Sequence, residues 1–142
     1  MIIRPVAILA VISLLGGIAA WLPVTFAFET GPDSVLPRYY TLRFLPVSIA
    51  GSFGVGFPIA LTVYFLAREP LSHSFSTVLL IAVLSSVVIA LTAAIIFDGS
   101  AALIFGVPTL FATLTYSVLG WFWILRPMRN SIDNPPQQKE IG

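Results

Sequence analysis

Four stretches of this chain, residues 6–28, 44–67, 75–97 and 101–125, contain no aspartate, glutamate, lysine, arginine or histidine. At 1.5 Å per residue each is long enough to cross a hydrocarbon layer of about 30 Å. Hydrocarbon offers the backbone no water, so every N–H and C=O must be satisfied within the segment, and helices are the simplest solution. The expectation is an all-α integral membrane protein: a four-span antiparallel bundle over residues 1–126, with both termini cytoplasmic, and a disordered cytoplasmic tail over 127–142.

Composition removes most kinds of chemistry. Of 142 residues, 58% are hydrophobic and 9% charged, against about a quarter charged in soluble domains. Cysteine is absent and His73 is the single histidine. Disulfides, thiol nucleophiles, iron–sulfur clusters, Cys-type zinc sites and a bis-His haem are therefore excluded within one chain. No metal, cofactor or catalytic residue is expected. A net charge of +1, with no basic cluster, does not suggest nucleic acid.

The first span has a basic start at Arg4 and a small-x-small end at Thr25-Phe26-Ala27, as a secretory signal would. Its apolar run exceeds the usual signal core of about 7–15 residues, and a retained helix is expected. The second span contains Pro46, expected in its first turn, and Pro58 in its interior. Gly51, Gly54 and Gly56 crowd just before Pro58, predicting a kink or an unwound turn there, with a freed Gly54 carbonyl. Pro70 is expected to end this helix, and Ser72 or Ser74 to cap the next. Asp98-Gly99-Ser100 reads as a tight turn that forces spans three and four to lie antiparallel. Pro127 is expected to stop the last helix.

Basic residues orient the spans. Arg4, Arg68, Arg126, Arg129 and Lys139 fall on one side, against Arg38 and Arg43 on the other, which puts both termini inside. The outer loop then presents Arg38, Tyr39, Tyr40 and Arg43 with Asp98 as an outer recognition surface, or as an ordinary interfacial belt. Asp98 is expected to pair with Arg43.

The fourth span carries Gly106, Thr109, Thr113, Ser117 and Gly120 at helical spacing on one face. Such ridges let membrane helices approach closely and exchange hydroxyl hydrogen bonds. They serve either packing within the chain or contact with a partner. A weak repeat aligns Phe53-Gly54-Val55 with Phe105-Gly106-Val107. Broken spans in matching halves sometimes mark a solute site, which makes Gly51, Gly54, Gly56 and Pro58 the candidate solute-binding segment.

The leading functional expectation is a small non-enzymatic protein of the bacterial inner membrane. Its surroundings are the lipid bilayer, and it works through helix–helix contacts with a membrane-protein partner or with itself. An accessory subunit, an assembly factor or an immunity-type protein would fit. The alternative is an oligomeric carrier or channel for a neutral or lipid-like solute. A membrane enzyme would need Glu29, Asp33, Asp98 or His73 to converge.

Overall fold

The structure, a computed structural model, describes residues 3–29 and 38–135, without the side chains of 27–29 and 38–41. Every element among them is helical: α1 (Ile3–Glu29), α2 (Arg38–Gly51), α3 (Phe57–Ser72), α4 (Phe75–Ile96), α5 (Gly99–Gly120) and α6 (Arg126–Asp133). A π-turn, Ser52–Gly56, joins α2 to α3 without a break, and a second, Trp121–Leu125, joins α5 to α6. The result is four rods. Each holds a segment long and apolar enough to cross a membrane: Ile3–Phe26, Leu42–Ser72, Phe75–Ile96 and Gly99–Asp133. The chain is thus a multi-pass integral membrane protein whose described elements are all helical.

The prolines interrupt these rods less than expected. α2 begins at Arg38, so Pro46 lies in its interior rather than its first turn. α3 runs through Pro70 to Ser72. The last rod does not stop at Pro127: α6 carries it to Asp133, which corrects the expectation of a disordered tail from residue 127. Residues 136–142, and the Gly31-Pro32-Asp33 turn, lie outside the described residues.

Both π-turns follow one plan. Each begins after a glycine, Gly51 or Gly120, and ends before an X-Pro pair, Phe57-Pro58 or Arg126-Pro127. The Phe57 N–H donates to the Ser52 carbonyl, and the Arg126 N–H to the Trp121 carbonyl. A proline ring collides with the carbonyl four residues back and brings no N–H of its own. One extra residue taken in just before the proline moves that carbonyl aside, so the rod continues through it. The interruption predicted around Gly51–Pro58 is therefore a widened turn rather than an unwound one.

The starts of α4 and α5 are capped by side chains. The Ser74 hydroxyl accepts the Thr77 N–H at 3.3 Å to start α4. The Asp98 carboxylate accepts the Ser100 and Ala101 N–H groups at 2.8 and 3.0 Å to start α5.

α5 packs along α4 on one side and α1 on the other, and α1 also packs along α2. On α4 and α5 residue numbers run in opposite directions. Phe75 meets Trp121 and Phe122, Ser86 meets Thr113, and Phe97 stacks on Phe105, so the two helices are antiparallel. At Gly106 a Cβ would lie 2.7 Å from the Ala90 methyl, which fixes how closely α4 and α5 approach. The interior is built from small residues: Ser13, Ser52, Ala82, Ser86, Ala93 and Ser117 are buried, whereas Leu66 and Ile95 are more than 80% exposed. Apolar side chains gain nothing by leaving lipid, so small groups that let backbones approach fill the inside. A compact apolar cluster of Leu9, Ile12 and Ile124 ties α1 to the second π-turn.

Candidate functional site

Three hydroxyls from three rods meet in the interior. The Tyr116 hydroxyl, on α5, donates to Ser13 Oγ on α1 at 2.7 Å, with the Ser52 carbonyl 3.0 Å away. Ser52 Oγ, at the start of the first π-turn, donates to the Ser13 carbonyl at 2.7 Å. Ser13 Oγ donates to the Leu9 carbonyl at 2.7 Å. Each hydroxyl proton has an acceptor, and no buried side-chain polar atom among the described residues lacks a partner. The Ser52 carbonyl receives the Phe57 N–H, with the Tyr116 hydroxyl oxygen 3.0 Å away. The carbonyl that a hydroxyl of a neighbouring helix approaches is thus that of Ser52.

Two glycines make room for the tyrosine. A Cβ at Gly16 would lie 2.9 Å from Tyr116 Cε2, and one at Gly56 would lie 2.8 Å from Tyr116 Oη. The ring is therefore wedged between α1 and the first π-turn. Hydrogen bonds between membrane helices contribute about 0.6 kcal/mol each on average, up to about 1.7 kcal/mol. This node stitches α1, the second rod and α5 together, and it is complete without an added ligand.

A second bond network joins α4 to α5. Ser86 Oγ and Thr113 Oγ1 lie 2.8 Å apart, and Thr113 Oγ1 is 3.3 Å from the Ala82 carbonyl. The predicted small-residue face of the last span therefore divides. Gly106 and Thr113 are engaged by α4 within the chain. Thr109, Ser117 and Gly120, with Thr113, line an open cleft.

That cleft has a volume of about 630 Å³. The second rod forms one wall and α4 the other, with α5 as the floor. On the second rod Val47, Gly51, Val55, Ile59 and Val63 face it, at steps of four residues. On a plain α-helix such a stripe would drift about 40° per step. The π-turn absorbs part of that drift and keeps the stripe on one wall. α4 contributes Val78, Ile81, Ser85 and Ile89. Ser52 and Tyr116 line the cleft, and Arg68 stands near one end. From Val47 to Arg68 the cleft runs about 30 Å along the rod. Of the predicted solute segment, Gly51 and Gly56 line it, while Gly54 and Pro58 do not.

The group expected at the outer surface is simpler. The side chains of Arg38, Tyr39 and Tyr40 lie outside the described residues, and Arg43 is exposed. Asp98 does not pair with Arg43 as expected: its partners are the Ser100 hydroxyl and the Ser100 and Ala101 N–H groups. The Ser100 hydroxyl, and then the Ala101 N–H, hold its carboxyl below the ordinary value of 3.8. His73 and Asp98 flank opposite ends of the 22-residue α4, about 33 Å apart, so they form no relay. No group of three metal-binding side chains occurs among the described residues.

The sequence matches no protein-family model, and no similar curated protein or solved structure is found.

Proposed function

We propose that this chain is a non-enzymatic protein of the bacterial inner membrane, with four antiparallel spans, both termini cytoplasmic, and a lipid-like or neutral apolar solute bound in the cleft between its second rod and α4. One observation carries this reading. A void of about 630 Å³ is walled by apolar side chains from the π-turned rod, with Ser52 and Tyr116 among its lining residues. Pockets that are mostly apolar with a few convergent polar groups are the usual form of a small-molecule site.

The test is a lipid-like probe with a photoreactive group on its chain, activated in native membranes, with adducts mapped by mass spectrometry. Labelling concentrated on Val55, Ile59, Ile81 and Ser85, and suppressed by excess unlabelled amphiphile, is expected. Labelling spread evenly over exposed Leu91, Ile95 and Phe111 overturns the reading.

A partner protein bound by helix contact is the second reading. Gly51 and Gly120 favour it, since both line the cleft and a Cβ at either meets nothing within 4 Å. A photoreactive residue at Gly51 that captures a distinct membrane protein supports this alternative.

A further inference from the structure

The two ends of the cleft differ in charge. Among its lining residues Arg68 alone is charged. Its guanidinium carbon sits 5.8 Å from the centre of the Tyr64 ring, which also lines the cleft. Among the described residues Arg68 makes no ion pair. Neighbouring Glu69 is exposed and does not bridge to it. Between Arg68 and the hydroxyl node the walls are apolar, with Ile59, Val63, Val78 and Ile81 facing the void. One leaflet contributes about half of a 30 Å core, roughly 15 Å, which is about ten residues of helix. Measured from Arg68, that depth ends at Pro58, about 9 Å of helix before Ser52. A chain as long as one leaflet is deep therefore fills only the apolar part.

We infer that the occupant of the cleft is an anionic phospholipid of the leaflet at the Arg68 end, with one hydrocarbon chain between α3 and α4 and its phosphate on the Arg68 guanidinium. This rests on the solute-binding reading above and specifies it. A guanidinium presents a planar fork of donors that matches phosphate oxygens. Tyr64 beneath it holds that fork at the mouth of the cleft. A fatty carboxylate or a partner helix in the same groove is an outcome the experiment separates.

The full chain is reconstituted in nanodiscs of phosphatidylcholine doped with phosphatidylglycerol. Lipid retained after gentle detergent exchange is then counted by native mass spectrometry. Retention of phosphatidylglycerol over phosphatidylcholine is expected, falling about five-fold in Arg68→Gln and less in Arg68→Lys. Arg129→Gln, which removes the same charge outside the cleft, should leave it unchanged. Ile81→Trp and, independently, Val63→Trp block the void from exposed positions and should abolish retention of both lipids. Equal losses in Arg68→Gln and Arg129→Gln overturn the inference and reduce Arg68 to an interfacial anchor. Retention that ignores headgroup and Arg68 yet disappears in both tryptophan variants overturns the anionic assignment while leaving the cleft occupied. Retention unchanged in the tryptophan variants removes both readings. Retention of a fatty acid or a copurifying protein in place of phosphatidylglycerol also overturns it.

Discussion

At Gly17 the backbones of α1 and α2 are separated by less than a methyl group. A Cβ there would lie 2.7 Å from the Ile49 Cα. Gly54 is also helical and also lies in a span, but a Cβ there meets nothing within 4 Å. The two therefore answer oppositely to the same change. Gly17→Ala forces two backbones apart and should cost about 1–3 kcal/mol. Gly54→Ala only removes chain entropy from the unfolded state and should be neutral or stabilising by up to about 1 kcal/mol. Reversible unfolding in mixed micelles or bicelles measures both, and equal effects would contradict the packing described. Tyr116 teaches a related lesson. The small-residue ridge made Gly106 and Thr113 legible as contact positions, because size and spacing are visible in a sequence. Tyr116 stood off that ridge, and its role depends on Gly16, Ser13 and Ser52 from other rods. The expected spans set Ser52 about 10 Å away in depth from Ser13 and Tyr116, and only the start of the second rod at Arg38 brings the three to similar levels.

Elements begin and end by local chemistry, and there the sequence is a good guide. Ser74 was readable as a cap from its place between a proline-containing connection and an apolar run. Asp98 was readable as part of a turn, though its carboxylate caps α5 instead of pairing with Arg43. Its lowered pKa sets the pH response. A folded pKa below the unfolded one means that the cap's contribution is complete above the unfolded value and is lost as pH falls through the folded value. The stability of the α4–α5 hairpin should be level from neutral pH to about pH 5 and decline only in acid. Asp98→Asn should remove that part of the acid limb, as read by thermal unfolding at a series of pH values. An identical acid limb in the variant would show that Asp98 does not govern it. Prolines were the weaker guide. Pro70 and Pro127 look like helix ends when read singly, yet α3 passes through the first, and the second π-turn lets the rod pass the other.

For the molecule as a whole, the proposed topology is open to a direct check, because the chain has no native cysteine to give background. Single cysteines at Ser74 and Gly99 lie in the turns at the two ends of α4. With both termini cytoplasmic, an impermeant maleimide added to intact cells should modify Gly99→Cys and spare Ser74→Cys. Disrupted membranes should admit labelling of both. The reverse pattern would invert the orientation and with it the leaflet that feeds the Arg68 end of the cleft.

Four spans and their helical form were determined by the sequence alone, because hydrocarbon obliges each segment to satisfy its own backbone and leaves little choice to its surroundings. The contacts between spans had no such local cause. Lipid tails are as apolar as leucine, so hydrophobicity does not say which face of a rod turns inward. That choice came from sub-ångström fit at glycines and from hydroxyls meeting across rods. Only the tertiary structure decided that Tyr116 closes a three-rod node. It alone also revealed that proline is carried by a π-turn, and that the second rod and α4 stand far enough apart to leave a cleft with a single arginine at its end.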